Sequence, residues 1–288
     1  MGVQCDEKVI AVVHSRFADR TCSVFSSSTL ELLYSLNFSL SHFRIGDDFI
    51  FLTSLSADDR LTLIDKLTGA IDHQERYDFL SYDFFSNKHG YQFTMVGNVV
   101  VISKLCGDLL LLSKDSETSK WIKKEQETGI KVCNISGEDN FLVLWSQDSI
   151  QLWDWKKGML AGKRVQCEHI ANVKFSNPYA FTQHGNETLQ IYNMFTGELI
   201  REIIFSAAWL IHLNSMFFTV VATNKKVSVF DVKELTNKNI ETNELWQKDF
   251  ETTYGEATKS KMVLVVRNSV TIYDFWPDKD YEVTEEPK

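Results

Sequence analysis

The 288-residue sequence is poor in the residues that interrupt regular structure, with 13 glycines and 3 prolines. This scarcity excludes Gly/Pro-rich linkers and low-complexity tails as a major component. No stretch approaches the 18 or more consecutive apolar residues of a membrane-spanning helix. The opening Met1-Gly2-Val3-Gln4-Cys5-Asp6-Glu7-Lys8 lacks the basic-then-apolar order of a secretory signal. Myristoylation at Gly2 wants Ser or Thr where Asp6 stands. These absences lead to the expectation of a cytoplasmic or nuclear protein without a membrane partner.

Cysteine is also sparse. Cys5, Cys22, Cys106, Cys133 and Cys167 are odd in number, scattered and without a Cys-x-x-Cys pair. That is neither a disulfide framework nor a zinc-ligand spacing, so no metal is expected. Positive charge is in deficit as well: 30 Lys and Arg against 39 Asp and Glu give a net charge of −9. Nucleic-acid binding needs a concentrated basic face, so no nucleic-acid partner is expected. The small lysine groups, Lys120 with Lys123 and Lys124, and Lys156 with Lys157, read as solvated strand ends and turns.

What the chain does contain is a globular composition, 44% hydrophobic, 12% aromatic and 24% charged. At about 150 residues per domain the length suggests two domains, although all-β architectures often exceed 200 residues as one. An internal repeat decides between them. A strand-like segment ending in an aromatic or aliphatic residue plus a small polar or acidic one recurs seven times. It reads Cys22–Ser26, Leu61–Asp65, Leu109–Ser113, Ile150–Asp154, Leu189–Asn193, Val227–Asp231 and Val270–Asp274, closing at steps of 39, 48, 41, 39, 38 and 43. Before each copy, or nearly each, stands a short β-branched or aromatic run such as Val9–Val13, Phe49–Leu52, Val99–Ile102, Phe141–Leu144, Phe217–Val221 or Met262–Val266. Continuous apolar runs of this length fit strands buried on both faces. Run, tight turn and recurring segment form a hairpin, and a further strand follows after turns such as Asp65–Gly69, Asp154–Gly158 and Asn193–Gly197. Glycine at the end of those turns supplies a positive φ.

A repeat near 41 residues falls within the 40 to 45 of a four-stranded propeller blade. The expected fold is therefore all-β: a seven-bladed β-propeller of four-stranded antiparallel blades, forming a single domain over residues 1–288. Closure of the ring by strands from the two chain ends has two candidates, Tyr281–Val283 and the Gly2–Cys5 stretch. Glu75 to Phe85, in the 48-residue step, is the least repeat-like segment.

These residues resemble the WD-repeat family, whose units close with Trp-Asp and continue with a turn ending in Thr-Gly. Trp153-Asp154 is the literal match; Phe230-Asp231, Tyr273-Asp274 and Ile64-Asp65 keep the acid, and Tyr192-Asn193 varies it. The family places an Asp six residues before the Trp, at a hairpin tip, paired with a His at the start of the blade. Counting back reaches Asp19, Asp58, Cys106, Gln147, Asn186, Asn224 and Arg267, so Asp19, Asp58, Asn186 and Asn224 are the implied polar tips. His169, in Cys167-Glu-His-Ile-Ala-Asn-Val, is similar to the family's opening His. The reading favours a structural hydrogen bond for it over recognition.

No Gly-x-Ser-x-Gly elbow, phosphate-binding loop or His-Glu-x-x-His motif occurs, and the seven histidines are dispersed singly. The expectation is a non-enzymatic protein without a cofactor: a protein-interaction scaffold or adaptor, and a subunit of a larger complex. Trp145, two residues before the fourth hairpin tip, and Lys156 are the candidate interaction rim, Trp being a frequent hot-spot residue. Family likeness implies a possible role as the substrate-recognition part of a ubiquitin ligase complex. Adaptor docking in the family uses an Arg two residues after Trp-Asp; this chain has Lys156, which lacks the bidentate fork of Arg. The alternative is a propeller enzyme or small-molecule binder with its site in the central channel.

Overall fold

The computed structural model describes residues 2–16, 19–38, 40–54, 60–76, 92–103, 107–129, 132, 134–185, 188–204, 208–213, 217–222, 226–238, 244–249, 252–257, 261–266 and 269–274. Among them, seven antiparallel sheets follow one another along the chain. The first is Gly2–Cys5, Val9–Arg16, Asp19–Ser26 and Leu32–Phe38; the second is Leu40–Ile45, Phe49–Ser54, Arg60–Asp65 and Ile71–Arg76. The third is Gln92–Val96, Val99–Ser103, Asp108–Lys114 and Trp121–Glu127. The fourth has Asn134–Glu138, Phe141–Trp145, Ser149–Asp154 and a split outer edge, Met159–Leu160 and Val165–Gln166. The fifth is Ile170–Ser176, Tyr179–His184, Thr188–Asn193 and Glu198–Ile204. The sixth is Ala208–Leu213, Phe217–Ala222, Lys226–Asp231 and Glu244–Asp249, and the seventh is Thr252–Ala257, Lys261–Val266 and Ser269–Asp274.

Strand order in each sheet follows chain order and consecutive strands pair antiparallel, except that the two short outer strands of the fourth sheet both pair with its third strand. The first strand of each sheet touches the first strand of the next, and that of the seventh touches that of the first, which closes a ring. The recurring segments of the sequence lie in the third strand of each sheet. Gly2–Cys5 is the innermost strand of the first sheet, Gly2 opposite Val13 and Cys5 opposite Ile10. The first sheet is therefore one continuous segment rather than a composite of the two chain ends. Tyr281–Val283 and most of the 75–85 segment lie outside the described residues.

The apolar second and third strands are buried because each faces two neighbours, and the two-residue period assigns alternate side chains to each. In the fourth sheet, Leu142, Leu144 and Trp153 pack against Val101, Leu109 and Leu111 of the third. Val143, Trp145, Ile150 and Leu152 instead pack against Val173, Phe175 and Ala180 of the fifth. In the second sheet Phe49, Phe51, Leu61 and Leu63 face the third sheet, while Ile50, Leu52 and Ile64 face the first. The outermost strands have a neighbour on one edge only. Accordingly Trp121–Glu127 is mostly exposed, and four of its seven residues are charged.

Candidate interaction site

The hairpins joining first to second strands and third to fourth strands emerge on the same side of the ring, and this turn face carries most of the described polar detail. The third-to-fourth turn repeats one solution in five sheets. Its first residue accepts backbone N–H groups on its side chain. Asp65 Oδ1 receives Leu67 N at 3.1 Å and Thr68 N at 2.8 Å. Asp115 Oδ1 receives Glu117 N at 2.9 Å and Thr118 N at 2.7 Å, and Asn193 Oδ1 receives Phe195 N and Thr196 N. Asp154 Oδ1 receives Lys157 N at 3.0 Å, and Ser26 Oγ receives Thr29 N at 3.2 Å. Four residues after the cap, Leu30, Gly69, Ser119, Gly158 and Gly197 all have positive φ, and each donates its N–H to the cap carbonyl. The turn is fastened to its own sheet as well, since Ser27, Lys66, Trp155 and Met194 donate their backbone N–H to carbonyls of Lys8, Asp48, Asn140 and Pro178.

In the third sheet the cap is Asp115, two residues beyond the Ser113 that closes the recurring segment. The third strand there runs on to Lys114 before the chain turns. Donated N–H bonds favour the carboxylate form. Those of Thr68 hold the Asp65 carboxyl below its ordinary range, and those of Thr118 do the same for Asp115. For Asp154, burial pushes upward, but the N–H of Lys157 and its ammonium outweigh it and the carboxyl is lowered.

Trp153, the residue most like the family signature, is buried, and its indole Nε1 donates to Gln126 Oε1 at 2.9 Å. Gln126 lies on the outer strand of the third sheet, and its Nε2 donates to the Trp155 carbonyl at 2.6 Å. One buried amide thus bridges two sheets, a role that sequence reading missed. Its only sequence signal is a neutral side chain within the run Lys123-Lys124-Glu125-Gln126-Glu127.

Trp145 does not form an exposed rim: it is 5% exposed, within the core between the fourth and fifth sheets. Nearness to the hairpin tip suggested exposure, yet strand parity places Trp145 on the face of Val143, where the next sheet covers it. Lys156 is exposed on the turn face, with Nζ 5.5 Å from the Trp155 ring centroid.

The implied hairpin tips are less informative. Asp58, Asn186 and Asn224 lie outside the described residues, and Asp19 opens its strand opposite Arg16. His169 is exposed with a φ of 57°, and its carbonyl accepts from Gly185 N at 3.4 Å. The hydrogen-bonding imidazole in that sheet belongs to His184, whose Nδ1 donates to the Glu168 carbonyl at 2.7 Å and whose Nε2 lies 2.8 Å from Thr182 Oγ1. At the fourth tip, Ser146 takes the polar role and bonds the Asp148 carboxylate.

Beside the ring axis, the turn face opens into a cleft of about 750 Å³. Its walls come from first-to-second hairpins of four successive sheets, including Asp6, Asp47, Asn98 and Asp139, with Trp155 and Lys156 at one side. Near it, Lys66 is 2% exposed and bridges sheets one and two, donating Nζ to Asp6 Oδ2 at 2.5 Å and to the Gly46 carbonyl at 2.9 Å. Among the described residues no group of three His, Cys, Asp or Glu side chains converges to hold a metal ion, and no helix is long and apolar enough to cross a membrane.

No protein-family model and no curated protein matches the sequence. Solved structures do match. Hsv2 of Kluyveromyces lactis, with its complete loop 6CD, superposes with a TM-score of 0.64 at 13% identity, covering 99% of this chain and 98% of that one. The chain is a β-propeller. BamB from Moraxella catarrhalis gives a TM-score of 0.58 at 13% identity over 95% of this chain and 84% of its own. The computationally designed Ika8 protein gives 0.56 at 15% identity, over 93% and 84%. At such identities the propeller fold is what is shared, and function must be argued from this chain's own surface.

Proposed function

We propose that this propeller is a non-catalytic protein-interaction scaffold of the WD-repeat type. The observation that carries this reading is the turn face. Five successive turns are each fixed by a capping side chain, a left-handed residue and, in four cases, a bond to the neighbouring hairpin. Loops held this way lose little conformational freedom when a partner binds, so contact energy goes into affinity. Affinity capture with the full chain as bait tests it: a partner recovered in stoichiometric amount is the expected result, and the absence of any such partner refutes the reading.

Within this reading, likeness to the WD-repeat family supports one specific role, substrate recognition in a ubiquitin ligase complex. Lys156 is the residue through which an adaptor would dock. A Lys156→Glu variant that pulls down ligase adaptor as well as the wild type removes that role. The cleft favours a second reading, a small-molecule site at the mouth of the channel, because its size falls within the range of ligand pockets. A metabolite that raises the melting temperature of the wild type, but not of an Asp47→Asn/Asp139→Asn variant, would establish it.

A further inference from the structure

We propose that the outer edge of the fourth sheet is a docking surface for an acidic, amphipathic segment of a protein partner. The inference rests on the scaffold reading and names the surface and chemistry through which it acts. In a chain of net charge −9, residues 156–166 contain Lys156, Lys157, Lys163 and Arg164 and no acid. The same segment exposes Met159 (55%) and Leu160 (47%), which make up the whole of one half of the split outer strand. The surface continues onto the fifth sheet. A Cβ on Gly162 would lie 2.1 Å from the Met194 carbonyl oxygen and 3.2 Å from Phe195 Cα, and one on Gly197 would lie 3.2 Å from Lys163 Cβ. The backbone of the fifth sheet's turn thus lies directly beside this edge, and it carries the half-exposed Phe195, whose ring packs edge-on against Phe141.

The cations are not equivalent. Lys157 pairs with Asp154 at 3.1 Å, and Arg164 donates to Ser149 Oγ at 3.0 Å. Lys156 and Lys163 have no carboxylate partner among the described residues. The Lys163 ammonium and that of Lys156, which lies over the Trp155 ring, together with the exposed Met159 and Leu160, match a segment in which carboxylates alternate with apolar residues. An anionic bilayer is the poorer match. Of the four cations, Lys157 and Arg164 are already engaged within the fold, which leaves fewer than the about four to eight that membrane-binding basic clusters gather, and the remainder of this acidic chain would be repelled by the same surface.

Selection of 12-residue peptides from a random phage library against the full chain, followed by fluorescence anisotropy of the enriched peptides, tests the surface. Enriched sequences should be rich in Asp or Glu and in Leu, Phe or Met. Their affinity should fall at least 10-fold for Lys156→Glu/Lys163→Glu and about 5-fold for Met159→Ser/Leu160→Ser, with melting temperatures unchanged. Neutral or basic consensus sequences, or acidic peptides that bind both variants as tightly as wild type, overturn it. So does co-sedimentation of the wild type, but not of Lys156→Glu/Lys163→Glu, with phosphatidylserine vesicles, because the surface would then read lipid. If selection fails while affinity capture returns a stoichiometric partner, this surface is refuted and the scaffold reading stands.

Discussion

The turn after the third strand in the sixth sheet begins as the other five do and ends differently. Asp231 accepts the Lys233 N–H at 2.7 Å, as Asp65, Asp115 and Asn193 accept theirs. Elsewhere the fourth residue after the cap turns left-handed and the chain reverses at once. In the sixth sheet that position is Leu235, which is fully buried and closes a one-turn helix, Val232–Leu235. Leu30, at the same position in the first sheet, is 52% exposed with a φ of 61°. The cap does not choose between these outcomes. Val232 and Leu235, spaced to share one side of a helical turn, find the apolar surface of Phe181, Leu189 and Ile191 on the fifth sheet. Leu30 finds no such surface, so it accepts a left-handed backbone that costs roughly 1–2 kcal/mol for an L-residue.

The sharpest way to break this comparison is to remove the buried leucine. Leu235→Ala should lower unfolding free energy in urea by about 3 kcal/mol, in the range for a buried leucine. Leu30→Ala should stay within about 0.5 kcal/mol. Next in size is a leucine placed where the turn has no room. Gly69 has a φ of +74°, and a Cβ there would lie 2.8 Å from the Tyr34 ring. Gly69→Leu should cost about 2 kcal/mol, the left-handed penalty plus displacement of that ring. A similar cost for Leu30→Val, relative to Leu30→Ala, would show that the first turn is less tolerant than its exposure implies.

The caps themselves come next. Asp154→Ala should lose about 1 kcal/mol, as at helix N-caps of the same geometry, and Asp154→Asn much less, because Asn193 already serves in the fifth sheet. The smallest effect concerns acid. The carboxyls of Asp65, Asp115 and Asp154 are lowered in the folded chain. Their contribution is complete above the ordinary carboxylate range near 4 and is lost as pH falls through the depressed folded values. Replacing all three with Asn should flatten the acid limb of a stability-against-pH curve and leave the neutral region nearly unchanged. A wild-type acid limb of equal steepness in the triple variant would refute the assignment.

Much of the fold was legible because its strands repeat a local pattern. The apolar runs became second strands, the recurring segments third strands, and Asp65, Asp154, Asn193 and Asp231 became caps. In the third sheet the cap fell at Asp115 instead, since no local signal marks a strand that runs on past Ser113 to Lys114 before the chain turns. The site was less legible. Lys156 is exposed, as its place in a charged turn suggested, whereas Trp145 is buried. Gln126 escaped notice because one neutral side chain among charged neighbours gives no hint that the next sheet will cover it.

By itself, then, the sequence determined the middle elements: the apolar second strands, the recurring third strands with most of the turns that follow them, and that both faces of these strands must be buried. Those properties depend on a two-residue period and on turn chemistry, which act within a few residues. Only the tertiary structure decided which neighbour covers which face. That choice put Trp145 in a core, linked Trp153 to Gln126, made Gly2–Cys5 the innermost strand that closes the ring, and folded Val232–Leu235 into a helix. When both faces of a strand are apolar, hydrophobic pattern fixes that they are buried but carries no record of the partner.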